Sequence, residues 1–213
     1  MAKNKIPTLW FSYEVSLDEL WRKFEEMGVD SNFISYSPLK MITGNIEWIE
    51  KKIKEAKVKY GTKVVFLDHL GFLAKSLTNP NDRSLGFNYA LYLSSLCRDI
   101  KRIAINNGVS IFLLVHRTKD KDDSDDTSDI AYSAGIAQEA DTVIMIRREK
   151  VKSPTENDIY TNFAFLNITK NRKTGISKRI CMEVKDGRLV ETIYIPQTPL
   201  KKLIKELKFN KND

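Results

Sequence analysis

The chain has 213 residues, 42% of them hydrophobic, and its 35 Lys and Arg against 28 Asp and Glu give a formal net charge of +7. That length holds one domain with a real core. No apolar stretch reaches the length of a membrane span, and no apolar signal core follows Met1-Ala2-Lys3-Asn4-Lys5, so the expectation is a soluble, cytoplasmic protein without a membrane role.

The elements follow in order. Thr8 to Glu14 is a strand. Ser16-Leu17-Asp18-Glu19 matches a capping box. Leu17, Leu20, Trp21, Phe24 and Met27 then recur at helical spacing until Gly28. Phe33 to Tyr36 is a short strand. Ile46, Ile49, Ile53, Ala56 and Tyr60 mark one face of a second helix, with Asn45 as its cap. A strand at 63–68 leads into a loop from Lys75 to Ser84, marked by Asn79-Pro80-Asn81-Asp82. A long helix from about Leu85 to Asn107 stops at Gly108. Ser110 to Val115 is a continuous apolar run, the pattern of a strand buried on both faces. A charged loop at 117–129, a short helix at 130–139 and a strand at 142–146 follow. The remainder reads as antiparallel: 160–169, a turn at Lys173-Thr174-Gly175, 177–184, a turn at Asp186-Gly187, and 188–195. Strand–helix alternation predicts a parallel α/β sheet extended by these closing hairpins. The expected boundaries are a core over 1–195 and a basic tail over 196–213. From Lys150 to Asp213 there are 14 Lys and Arg against 7 Asp and Glu, which accounts for the whole positive excess. A solvated lysine-rich surface explains that as simply as a polyanion-binding edge does.

Cys97 and Cys181 form no C-x-x-C pattern, and with His69 and His116 they show no zinc spacing, which fits a reducing compartment. The acidic stretch Asp120 to Asp126 is not a calcium loop. Such a loop needs Gly sixth and Glu twelfth, where Asp125 and Ala131 stand.

Three predicted strands end in a residue suited to phosphate chemistry. Ligands of open α/β sheets sit at the carboxyl ends of strands. Glu14 there can orient or deprotonate a water, Asp68 can hold Mg²⁺ through water, and His116 can sense a terminal phosphate. Lys170 and Arg172 point the same way from a strand end and can reach a phosphate on a neighbouring subunit. Each residue alone also suits an ordinary strand end or hairpin tip. The chain contains no G-x-x-x-x-G-K-S/T loop, whose backbone N–H groups and Lys cradle phosphates.

Phe11-Ser12-Tyr13-Glu14-Val15-Ser16 resembles the segment that follows the phosphate loop in DnaB-type hexameric replicative helicases, the group that includes the Twinkle-like helicases. Phe66-Leu67-Asp68-His69-Leu70 resembles their Mg²⁺-side strand. Leu114-Val115-His116-Arg117 resembles their sensor strand, with His where DnaB proper carries Gln. Ser128 to Asp141 and Lys170-Asn171-Arg172 follow in the family's order, so the resemblance runs from about residue 8 to 193. It implies a RecA-like, mostly parallel α/β sheet flanked by helices, with C-terminal antiparallel strands, beginning after the first core strand, phosphate loop and helix. It also implies ATP and Mg²⁺ as cofactors, single-stranded DNA as partner and a hexameric ring. Glu14 would be the water-activating carboxylate, Asp68 the Mg²⁺-side aspartate and His116 the sensor, while Lys170 and Arg172 would act in trans. Loops 75–84 and 117–133 would face the DNA channel, with Arg83, Arg117 and Lys119 as DNA contacts. Without its own phosphate loop, the chain alone is expected to be inactive. Two alternatives stay open: a non-helicase RecA-like ATPase of recombination or regulation, and an interaction module that does not bind nucleotide.

Overall fold

The computed structural model describes residues 5–29, 35–37, 46–77, 89–116, 134–151 and 159–193. Two compact units emerge: 1–143 with 169–176, and 144–168 with 177–213.

The first unit is a parallel sheet with helices. Its strands are β1 (Thr8–Ser12), β2 (Ser35–Tyr36), β3 (Val64–Asp68) and β4 (Ser110–Leu113), in the order β2-β1-β3-β4. Its helices are α1 (Leu17–Glu26), α2 (Ile46–Tyr60), α3 (Leu70–Leu77), α4 (Tyr89–Asn107) and α5 (Ala134–Glu139). Period-two alternation divides the sheet into two faces. Leu9, Phe11, Val65 and Leu67 are fully buried on one of them, and Phe11 meets Trp48 of α2 edge-on at 5.8 Å. The other face carries an aromatic ladder in strand register, Trp10↔Phe66↔Phe112, stacked at 4.0 and 5.1 Å. Phe24 of α1 closes on Trp10 at 5.1 Å. Such cross-strand aromatic pairs add packing to the ladder hydrogen bonds.

The capping expected at Ser16 is present, its hydroxyl accepting from the Glu19 N–H at 3.3 Å. The Glu19 carboxylate turns instead to Lys23, 2.9 Å away. Lys75 was expected to open a loop, yet it lies inside α3. Leu70, Leu73, Ala74 and Leu77 recur at i, i+3, i+4 and i+7, and the first three are buried, so the core side of this helix outweighs the turn signal that follows it. Burial of Ser110 to Val115 on both faces is also corrected. β4 pairs only with β3 among the described residues, and Phe112 and Leu114 remain 40% and 41% exposed. An apolar run needs a neighbour on each side and a layer on each face to be covered, and among the described residues β4 has no second strand beside it.

The second unit centres on an antiparallel sheet of order β5-β6-β7-β8, with β5 (Thr142–Val151), β6 (Ile159–Asn171), β7 (Lys178–Lys185) and β8 (Arg188–Glu191). The strands β5 and β6 continue past the unit's bounds at Thr142–Val143 and Thr169–Asn171. Lys185 pairs with Arg188 across the two-residue turn Asp186-Gly187, both residues at positive φ. That is the hairpin geometry which Asp-Gly favours. Guanidinium groups of Arg147 and Arg179 lie over the Phe165 ring at 5.7 and 4.0 Å. No described helix is long and apolar enough to cross a membrane.

Burial separates the centre of the parallel sheet from its edge. Leu67→Ala is expected to cost roughly 2–5 kcal/mol, as a cavity in a packed core does, and Phe112→Ala clearly less. Urea unfolding of both variants is the check; equal losses would mean that the β4 edge is covered.

Candidate functional site

Three chain segments meet at the carboxyl end of the parallel sheet, and backbone hydrogen bonds past the strand ends hold them. The Tyr13 N–H donates to Asp68 O at 2.8 Å, the Leu114 N–H to Leu67 O at 3.0 Å, and the Leu70 N–H to Leu114 O at 2.9 Å. The first bond draws Glu14 toward the end of β3, and the last two draw His116 toward the same place. Ser12 shapes the bend that presents Glu14: its hydroxyl donates to Val15 O at 2.6 Å and accepts from the Val15 N–H at 3.3 Å.

Glu14 Oε2 lies 3.6 Å from His69 Nε2 and 3.8 Å from His116 Nε2. The two imidazoles meet edge to face at 4.1 Å. His69 was absent from the expected site residues, although it stands directly after Asp68. Its ring lies over the start of α3, where the Gly71 N–H donates to Nδ1 at 3.1 Å. A Cβ at position 71 would sit 3.0 Å from His69 Cε1, so glycine there gives the ring its space. The sequence signal was the pair of histidines, each at the end of a parallel strand. Glu14, Asp68 and His116 are brought together as expected, and the Asp68–His69 peptide is cis.

Electrostatics link the four groups. Burial raises the Asp68 carboxyl above its ordinary 3.8, and the Glu14 charge raises it further. Burial lowers His69 below its ordinary 6.5, and His116 adds to this, while Glu14 and Asp68 pull the other way. Burial also pushes the Tyr13 phenol up to about 12, which keeps it protonated.

Lys170 and Arg172 belong to a different cluster, at the C-terminal end of α5. Lys170 Nζ donates to Ala137 O at 2.8 Å and Gln138 O at 2.9 Å. Arg172 reaches Gln138 O at 3.0 Å and Asp141 Oδ1 at 3.1 Å. Lys101 of α4 joins them, donating to Glu139 O at 3.1 Å and Asp141 Oδ1 at 2.7 Å. Cations at a helix C-terminus satisfy its free carbonyls and its dipole, so the pair ties the end of β6 to α5 within this chain. The Lys101 hydrogen bond is the main cause that holds Asp141 below its ordinary value. Arg83, Arg117 and Lys119 lie outside the described residues.

Glu14 raises both Asp68 and His69, so Glu14→Gln should move both midpoints down in an NMR titration; an upward move of His69 would contradict this electrostatic linkage. His69 titrates below 6.5 when folded. Its contribution to stability is therefore complete above 6.5 and is lost as the pH falls through the folded value. Asp68 acts oppositely: its raised value means that protonation in acid relieves a cost.

The description "DnaB-like helicase C terminal domain" matches residues 12–186. The KaiC-like protein PH0186 of the hyperthermophilic archaeon Pyrococcus horikoshii OT3 has a similar structure, with TM-score 0.61 and 15% identity over 88% of this chain and 76% of that one. At that identity the likeness establishes a shared RecA-like fold. No curated protein matches. With the match spanning most of its length and the motifs standing at converging strand ends, the chain belongs to the DnaB-like helicase C-terminal domain family.

Proposed function

We propose that this chain carries the hydrolytic and coupling side chains of a replicative helicase motor, which works in the cytoplasm as a hexameric ring on single-stranded DNA. The observation behind this reading is the convergence of Glu14, Asp68 and His116 at one end of a parallel sheet, in a chain of a helicase family.

The residues present suit the Mg²⁺ side of a bound ATP. Asp68 ends β3 as a partly buried carboxylate, the kind of group that holds Mg²⁺ through its waters. Bound Mg²⁺ would supply charge neutralisation at the phosphates. Glu14 is 44% exposed and can accept a proton from an attacking water. His116 sits 3.8 Å from Glu14, so movement of the β4 end would be felt at the base. In trans, Arg172 would first have to leave Asp141 and α5, which makes that pair the natural point of release between neighbouring subunits.

No G-x-x-x-x-G-K-S/T motif, the sequence of the Gly-rich phosphate cradle with its Lys, stands in these 213 residues. Among the described residues β4 is the edge strand of the parallel sheet, which supports pairing by one further strand, and we assign that place to a segment bearing the phosphate loop. Apolar sheet edges accept an added strand through main-chain hydrogen bonds. DNA contacts at Arg83, Arg117 and Lys119 belong to this same reading.

In a protein completed with such a segment, Glu14→Gln is expected to abolish ATP turnover while sparing nucleotide binding. The amide keeps the shape but accepts no proton. A lost general base costs about 10²–10⁴ in rate, so a loss below about tenfold would retire the role.

A further inference from the structure

We infer that Glu14, His69 and His116 form a binding site for a divalent transition-metal ion of the zinc class. This site is separate in chemistry from the Mg²⁺ position assigned to Asp68. Two imidazoles and one carboxylate are an N/O donor set that suits Zn²⁺, Co²⁺ or Ni²⁺, whereas Mg²⁺ takes oxygen ligands and keeps its waters. One ligand atom from each residue lies within 4.8 Å of the other two. The Glu14 carboxylate stands 3.6 and 3.8 Å from the two imidazole nitrogens. A tetrahedral ion with bonds of about 2.0–2.1 Å holds its ligand atoms about 3.4 Å apart. Contraction by a few tenths of an ångström therefore brings Glu14 into range of both histidines, and the histidines must close further on each other.

The three residues come from three segments already tied together by backbone hydrogen bonds at Tyr13, Leu70 and Leu114, so little ordering remains to be done on binding. His116 is 64% exposed and His69 only 12%. The site is thus anchored on one side and open to water on the other. That is the form of a three-ligand site with an exchangeable position.

Binding has an identifiable cost. The Gly71 N–H donates to His69 Nδ1, which places the ring proton of the neutral imidazole on Nε2, facing Glu14. Coordination through Nε2 moves that proton to Nδ1, and the hydrogen bond from Gly71 ends. Affinity should accordingly be micromolar, and the Gly71 amide is its reporter. An ion held here also engages the carboxylate that hydrolysis needs free, so zinc-class ions would inhibit where Mg²⁺ would not.

The test uses the untagged full chain, stripped with chelator and titrated with Co²⁺ by visible absorption and with Zn²⁺ by competition against an indicator. One equivalent should bind with a micromolar dissociation constant, with a shift of the Gly71 amide in the nitrogen–proton NMR spectrum. Glu14→Gln and His116→Ala should each weaken binding about tenfold or more, and His116→Gln replaces the latter if it does not fold. Cys181→Ser should leave binding unchanged. Affinity weaker than about 100 µM, or binding that survives both ligand substitutions, overturns the site. Neither result touches the nucleotide reading, which is measured as turnover with Mg²⁺ alone.

Discussion

Everything at the candidate site depends on main-chain hydrogen bonds that run past the ends of the strands. β1, β3 and β4 are parallel, and their pairing does not stop where regular strand geometry does. The bonds from Tyr13 to Asp68, from Leu114 to Leu67 and from Leu70 to Leu114 extend it. A parallel sheet buried on one face by Leu9, Phe11, Val65 and Leu67 cannot slip its register without exposing that row. The position of Glu14 beside two imidazoles is therefore inherited from the core. The Ser12 hydroxyl, bonded to Val15, then shapes the bend that presents it.

The cluster built this way is electrostatically economical. Glu14 faces His69 and His116 on one side, and its charge acts on Asp68 on the other. Two carboxylates close together in a partly dry site repel, and the imidazoles moderate that repulsion. The cations Lys101, Lys170 and Arg172 are engaged elsewhere, at the end of α5 and on Asp141. The carboxylates at the strand ends and the cations at the end of α5 thus occupy separate clusters.

Much of this was legible in the sequence, for physical reasons. The buried strands β1 and β3 announce themselves as apolar runs; β3 ends on Asp68, whereas β1 stops at Ser12, two residues short of the expected end at Glu14, and Asp186-Gly187 dictates its hairpin. Ser16 caps α1 as its spacing requires. Helix α3 runs past the expected loop start at Lys75 because the i, i+3, i+4, i+7 row that starts at Leu70 outweighs the turn signal at Asn79-Pro80. β4 misled for another reason: apolar composition records what a strand was selected to lie against, and among the described residues only one neighbour is there. His69 was hidden because its role comes from three-dimensional convergence, with Glu14 and His116 distant in sequence. The intrachain contacts of Lys170 and Arg172 were equally invisible, since they depend on carbonyls at the end of α5.

The central claim is that these residues hold the water-activating and Mg²⁺-side chemistry of an ATP motor but not the cradle that binds its phosphates. The most direct measurement is calorimetric titration of this chain, alone, with ATP and Mg²⁺. Without backbone N–H groups and a Lys to hold the phosphates, no saturable binding is predicted in the micromolar range. A micromolar or tighter dissociation constant would contradict the claim, because it would require a phosphate site within these 213 residues.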